Sequence, residues 1–391
     1  MLIKNFFVFL VFTFISLSFY PQLNIKIRIF SQYDLKSVVI TPINGEYFLV
    51  AKKDTIKKLN NLEVINIFTN GASIIVQQWL TFLGAYDTIL LLPKSNNSYL
   101  RIKSIDPELK VRYYDGVLFF KLDSILHNIV LINEIDLEEY IAGVVESEIG
   151  ADNNLPIEYL KTQAVISRTY SLKNLGIYSD YGYDLCDNIN CQAYYGKALK
   201  NINIRKAVKV TEGLVIVDSS MNLINSFFHS NSGGETAYTY QVWNDTLDYI
   251  ISVVDSFSME GKNYKWDFKI KKSIWIEYLK QKGILLPDNY DFTYKMKHRT
   301  KFLEFSNGLA IKVTDIRKDW GLKSAFFDIY DDGTTLFFSG RGYGHGVGLS
   351  QEGAENMAKK GFNFREILFY YYNNIKIVPY NEIMKEKPSK E

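Results

Sequence analysis

Two carboxylates, Glu146 and Glu148, close a stretch that reads as a helix, Leu137-Glu-Glu-Tyr-Ile-Ala-Gly-Val-Val-Glu-Ser-Glu148. Side chains two positions apart on a helix project about 200° from each other, so at most one of the pair faces a given cleft. A carboxylate at a helix C-terminus meets the negative end of the helix dipole, which raises its pKa. A raised pKa is what a general acid needs at neutral pH. Position alone is weak evidence, because most glutamates at helix ends are simply solvated.

A second candidate lies far downstream. Gly340-Arg-Gly-Tyr-Gly-His-Gly-Val-Gly348 places glycine at every second position. In an extended chain one face would carry Arg341, Tyr343, His345 and Val347, and the other would be bare. A bare face lets another backbone or a ligand approach closely. A tightly packed strand needed only for the fold would read the same way. The Gly-Lys-Ser/Thr ending of a phosphate loop is absent. Ser230, Ser232 and His229 lie together, but no Gly-x-Ser-x-Gly elbow surrounds them, which argues against a serine hydrolase.

The elements that must position these groups are legible in part. Asp136 reads as the cap of the first helix, with Glu138 and Glu139 in its first turn and an end near Gly150. A second helix starts at Pro156, the favoured first position, and runs to about Asn174. Its Leu160, Ala164 and Ser171 make one narrow packing face, with Lys161 and Arg168 on another. Ser350 reads as the cap of a helix over Gln351 to Lys360 stopped by Gly361, and Asn363 with Glu366 as a capping box for a last helix through Tyr372. Upstream, residues 24 to 133 read as β-rich, with a strand at Gly45 to Val50. Val111 to Leu122 has the pattern of a hairpin turning at Asp115-Gly116. Residues 184 to 254 read as strands and turns, and 258 to 325 as a mixed, lysine-rich stretch with a short helix at Ser273 to Gln281.

The chain has 391 residues, 47% of them apolar and 15% aromatic, as expected of a globular protein of about two domains. A formal net charge of +2, with Lys and Arg dispersed, gives no electrostatic case for a nucleic-acid partner. Lys4 followed by the uncharged, aromatic-rich run Asn5 to Tyr20 fits a signal peptide or an N-terminal membrane anchor. The expected location is therefore exported, in the periplasm or cell envelope. The fold class is α+β, with mixed helices and sheets. The expected organisation is an export segment over 1–22, a β-rich elaboration over 23–133, a main domain over 134–380 with an insertion at about 258–335, and a polar tail over 381–391.

Leu137 to Glu148 and Leu160-Lys-Thr-Gln-Ala-Val-Ile-Ser-Arg-Thr-Tyr170 resemble the opening of the SpoIID/LytB domain. Cys191-Gln-Ala-Tyr-Tyr-Gly196, Ser230-Asn-Ser-Gly-Gly-Glu-Thr236, Val242-Trp243 and Gly340 through Tyr372 continue the resemblance in the same order. It implies a SpoIID-like catalytic region and work on peptidoglycan. Sporulation members of the family are lytic transglycosylases, glycan-cleaving lyases. They cut the MurNAc–GlcNAc bond of peptide-stripped strands and leave 1,6-anhydro-MurNAc ends. The family's catalytic glutamate matches Glu148; members often carry Met-Pro next, where this chain has Ile149-Gly150. Substrate contacts would fall on Lys161, Arg168, Tyr170, Ser232, Gly233, Tyr343, His345 and Gln351. LytB-like members instead enhance a cell-wall amidase without cutting, which makes an amidase the alternative partner.

No cofactor is required by this chemistry. Some members that resemble this chain at Cys186 and Cys191 hold zinc there with an upstream histidine, where this chain offers only Asp180 and Asp184. His229 or His345 would have to approach in space to complete a zinc site. A disulfide between the two cysteines is the alternative.

Overall fold

The computed structural model describes residues 23–386, apart from residues 124 and 288. The expected export segment lies outside the described residues. None of the helices among the described residues is long and apolar enough to cross a membrane.

The N-terminal strands are β1 Asn24–Ile29, β2 Ser37–Asn44, β3 Tyr47–Ala51, β4 Asp54–Leu59, β5 Ile65–Thr69 and β6 Ile74–Gln78. They continue as β7 Thr81–Tyr86, β8 Thr88–Pro93, β9 Tyr99–Asp106, β10 Arg112–Asp115, β11 Val117–Leu122 and β12 Ile129–Asp136. With the later strand β13 (Leu185–Cys186) they form a seven-stranded sheet, β13-β1-β12-β11-β8-β3-β4, and a six-stranded sheet, β10-β9-β2-β5-β6-β7. In β1 the alternation is clean: Ile25, Ile27 and Ile29 are buried while Asn24 and Lys26 are exposed, the signature of a strand with one wet face. Val38 and Ile40 of the second sheet enter the same core as these isoleucines.

The hairpin expected at Val111 to Leu122 does not form. β10 pairs with β9 in one sheet, whereas β11 pairs with β8 and β12 in the other. β11 finds a full ladder on β12, from Val117 opposite Glu134 to Leu122 opposite Ile129, which leaves no edge on it for β10. Asp115-Gly116 is instead where the chain crosses between sheets. Gly116 has φ 75° and lies against the carbonyl of Glu134 with no room for a Cβ. Asp115 is buried and paired with Lys197.

Helix α1 (Leu137–Ile149) starts where the Asp136 side chain accepts the amides of Glu138 and Glu139, and ends at Gly150. Helix α2 (Ile157–Lys173) is buried on almost every side rather than along one narrow face. Its hydroxyls turn inward on the helix itself: Thr162 donates to the Glu158 carbonyl at 2.8 Å and Thr169 to Val165 at 2.7 Å, the usual solution for a polar side chain inside a helix. Leu160 and Ala164 pack into the core of the sheets, and Tyr159, Val165 and Ile166 into a different one.

The stretch after residue 184, expected as strands and turns, contains α3 (Ile202–Val210), capped by Asn201, before β14 (Leu214–Val217) and β15 (Phe228–His229). Following α4 (Thr239–Val242) comes a compact insertion: β16 Lys265–Lys271, α5 Lys272–Gln281, β17 Phe302–Glu304, β18 Ala310–Lys312, α6 Val313–Asp319, β19 Phe327–Asp331 and β20 Thr335–Arg341. It has its own core, with Trp266, Trp275, Phe327 and Phe338 at its centre. The chain closes with β21 (Leu349–Ser350) beside β15, α7 (Gln351–Lys359), α8 (Phe364–Tyr371), β22 (Lys376–Pro379) beside β14, and α9 (Tyr380–Glu386). Ser350 caps α7, and both halves of the Asn363/Glu366 capping box are made.

Candidate functional site

The last three side chains of Val144-Val-Glu-Ser-Glu148 grip one segment, residues 193–201. Glu148 Oε1 accepts the amide of Ala193 at 2.7 Å, Ser147 Oγ accepts that of Tyr195 at 2.9 Å, and Glu146 accepts those of Lys200 at 3.0 Å and Asn201 at 3.3 Å. Glu146 therefore sits at the N-terminus of α3, where backbone amides converge and favour an anion. Glu148 differs. Burial pushes its carboxyl above the ordinary glutamate pKa, opposed only in part by the Ala193 amide. The cause is desolvation, with no cation among the contributors. Among the described residues, Glu148 Oε2 has no hydrogen-bond partner. Tyr159 and Tyr170 lie near enough to feel its charge.

The glycine-rich segment does turn a bare face to another backbone, though not as an extended strand. Gly342, Gly344, Gly346 and Gly348 all have positive φ, between 70° and 110°, so each is a left-handed step that a side chain would resist. A Cβ on Gly342 would stand 2.6 Å from the Asn231 carbonyl oxygen, and one on Gly344 2.8 Å from the His229 Cβ. Asn231 and Tyr343 exchange backbone hydrogen bonds at 3.1 and 2.8 Å. The 229–233 and 340–348 segments are thus folded together. This brings Ser232, Gly233, Tyr343, His345 and Gln351 into one cluster.

Within that cluster, Ser232 and Gly233 are buried and cannot serve as the surface contacts expected from the sequence. Ser232 Oγ donates to Asp255 Oδ2 at 2.7 Å rather than to a histidine. Burial raises the pKa of Asp255. Tyr343 is exposed, and His345 and Gln351 are half-buried. The Gln351 Nε2 has no partner among the described residues. His345 packs on Trp243 with ring centroids 5.2 Å apart, and burial of its ring lowers its pKa to about 4, so it is neutral at physiological pH.

Of the two roles open to Arg168, structural or substrate contact, the geometry gives the structural one. It is fully buried, with Nε 2.8 Å from Glu138 Oε1, Nη2 2.5 Å from Glu138 Oε2 and Nη1 on the Leu214 carbonyl. The bidentate pair with the half-buried Glu138 locks α2 to α1 and β14, and leaves no donor of Arg168 facing solvent for a substrate. Lys161 holds Glu158 at 2.6 Å, and the other oxygen of Glu158 takes the amide of Phe364 at 2.9 Å. Tyr170 donates to the Asn190 carbonyl at 3.3 Å, next to the cysteine loop.

Some groups at these sites had no signal in the sequence. The Ala193 amide belongs to the backbone, which no residue pattern reveals. Arg299 comes from the insertion and is buried. It donates to the carbonyls of Glu235 and Ser232, both at 2.7 Å, and closes over Gly346. Burial lowers its pKa to about 10.

Cys186 and Cys191 are both buried free thiols, with the Cys186 amide 3.0 Å from Cys191 Sγ. Their mutual hydrogen bond lowers the pKa of Cys186 and raises that of Cys191. Asp187, between them in sequence, is taken up by Arg112 at 2.7 Å and the Phe30 amide at 2.7 Å. His229 points elsewhere, to the Val347 carbonyl at 3.1 Å. Among the described residues, no group of three or more His, Cys, Asp or Glu is placed to hold a metal ion. Two sulfurs do not make the four-ligand set of a structural zinc, and the residues present do not fit one.

Comparison with known proteins adds to the geometry. A family model described as "Stage II sporulation protein", SpoIID, matches residues 126–217, the stretch holding α1, Glu148, α2, the cysteines and α3. Stage II sporulation protein D of Bacillus subtilis is 32% identical over 63% of this chain and 75% of its own length. An uncharacterised protein of Brachyspira hyodysenteriae is 25% identical over 92% of this chain and 97% of its own. The amidase enhancer of Bacillus subtilis is 27% identical over 61% of this chain and 40% of its own. The likeness to stage II sporulation protein D runs through both the carboxylate-bearing helix and most of the relative's length, and the chain belongs to the SpoIID family.

Proposed function

We propose that this protein is an exported lytic transglycosylase that cuts the MurNAc–GlcNAc bond of peptide-stripped peptidoglycan strands, with Glu148 as its acid and base. The observation that carries the reading is the state of Glu148: a half-buried carboxyl whose pKa is raised by desolvation, one oxygen held by the Ala193 amide and the other unpartnered among the described residues. Ordinary glycosidases need two carboxyl groups. Here one suffices, because the nucleophile is the sugar's own 6-hydroxyl. Protonated Glu148 gives its proton to the glycosidic oxygen as the C1–O bond breaks. The resulting carboxylate then takes the proton of the 6-hydroxyl as O6 bonds to C1, which closes the anhydro ring and restores the acid. The amide of Ala193 holds Glu148 in one rotamer through both steps.

The second reading is a wall-bound enhancer of an amidase, favoured by the similarity to the amidase enhancer over 61% of this chain. Peptide-free glycan strands digested with the purified protein and with Glu148→Gln separate the two. Anhydro-MurNAc ends, read by mass spectrometry, from the native protein alone support the transglycosylase. Intact strands that still bind the native protein support the enhancer.

A further inference from the structure

The insertion's sheet has two unlike faces. Trp266, Ile270, Phe327, Ile329, Leu336 and Phe338 point into the insertion's core, and the alternate residues point outward. Strand register arranges the outward side chains in rows across β16, β20 and β19. Lys269 stands opposite Phe337, which stands opposite Tyr330; Asp267 stands opposite Ser339, which stands opposite Asp328. An aromatic row therefore lies beside a row of carboxylate, hydroxyl and carboxylate.

Tyr330 is 62% exposed and Phe337 41%, unusual for large rings with a core directly beneath them. Their centroids are 6.2 Å apart and their planes 37° from parallel, a broad shallow platform. A cavity of about 640 Å³ lies over both rows and is walled by Thr293 and Lys295. Asp328 Oδ1 accepts the amide of Met296 at 2.9 Å and lies 3.4 Å from Arg341 Nη2, which fixes the carboxylate and leaves Oδ2 to face the cavity. Asp267 has no hydrogen-bond partner among the described residues.

Those two rows match the two aspects of a pyranose. The ring's C–H face is apolar and weakly positive and seats on aromatic faces, while its edge presents hydroxyl and amide donors for carboxylates. Rows two residues apart along a strand are separated by about 6.6 to 6.8 Å, the scale of one sugar ring. Lys269 and Lys295 line the same cavity as the two carboxylates, so the face carries no strong net charge to draw a phosphate backbone or a charged lipid surface. Beyond Phe337 and Ser339, β20 continues through Arg341 into the glycine-rich segment and exposed Tyr343, so one strand carries the platform and leads into the cluster around His345.

We infer that this outer face is a second glycan site, seating an N-acetylhexosamine on Tyr330 and Phe337 with its polar edge on Asp267 and Asp328. The inference rests on the glycan substrate proposed above and adds a hold on the strand outside the Glu148 region.

The test is sedimentation with insoluble peptide-free glycan strands in the Glu148→Gln background, where strands stay whole, with and without Tyr330→Ala/Phe337→Ala. Binding should weaken about tenfold or more, the scale of losing stacked aromatic contacts. Asp267→Asn, an isosteric change at an exposed position, should weaken it in the same direction without moving the melting temperature. Binding within about twofold of the parent for both variants would overturn the site. The two readings fail separately. If the native protein leaves strands uncut yet the aromatic variant loses binding, the second site stands and the transglycosylase falls. If strands are cut and the aromatic variant binds as the parent does, the second site alone falls.

Discussion

The amide of Ala193 donates to Glu148 Oε1 at 2.7 Å, from a segment that the two residues before Glu148 also hold. One helix end thus fixes both the acid and the strap that orients it. Glutamine keeps the acceptor for Ala193 and removes the proton donor. Glu148→Gln should therefore fold normally and lose about 100- to 10,000-fold in strand cleavage.

The same carboxyl has a stability signature. Its folded pKa is raised by burial, so over the window from the unfolded glutamate value up to the folded one the native state binds more protons than the unfolded state. Stability then falls as pH rises through that window. Glu148→Gln should melt above the native protein at pH 7, with the gap closing toward pH 4 in calorimetry. A variant that melts lower at pH 7 would refute the desolvated-acid assignment.

Arg168 should matter to the fold rather than to the substrate. Removing it leaves the half-buried Glu138 and the Leu214 carbonyl without their partner, and leaving such groups unsatisfied costs about 1–3 kcal/mol. Urea denaturation of Arg168→Ala should show a loss of that size. Arg168→Lys should recover only part of it, since a point charge cannot make the bidentate contact. An unchanged urea midpoint with a raised KM would return Arg168 to the substrate.

The glycine-rich segment predicts a contrast between two alanine variants. Gly348 (φ 70°) lies against the Phe227 carbonyl, whereas Gly333 (φ 93°) has open space around it. Both substitutions incur backbone strain of about 1–2 kcal/mol, but only Gly348→Ala adds a collision with main chain. It should be clearly the less stable of the two; equal thermal shifts would refute the packing.

Zinc removal supplies a fifth prediction. The buried sulfurs of Cys186 and Cys191 find no third protein ligand among the described residues. Strong chelators should leave the melting temperature unchanged, and metal analysis should find no stoichiometric zinc. Equimolar zinc whose removal unfolds the protein would overturn this.

Local chemistry made part of this legible in the sequence. The Asp136 cap, the Ser350 cap and the Asn363/Glu366 box are each settled within four residues, and all three are made as expected. Glu148 was singled out from Glu146 only by the family resemblance. What separates them physically is a partner about fifty residues on: the α3 amides for one, Ala193 for the other. Asp115-Gly116 has the chemistry of a hairpin turn, yet strand pairing from elsewhere decided its use. Arg168 shares a helix face with Lys161 in the sequence, which leaves it either a structural or a substrate contact, and what decides between them is Glu138, thirty positions earlier.

Helix α2 contributes Leu160 and Ala164 to one core and Val165 and Ile166 to another. The double-sheet region and the glycine-rich region therefore share a beam, and neither can be flooded by water while the other stays dry. Heating should therefore melt the two as one cooperative unit. The insertion keeps a core of its own around Trp275 and Phe327, but its buried Arg299 pins it to the glycine-rich region. Loosening the insertion would therefore free the Ser232 and Glu235 carbonyls and unseat the turn at Gly346, while the Glu148 helix stays anchored in the sheet core.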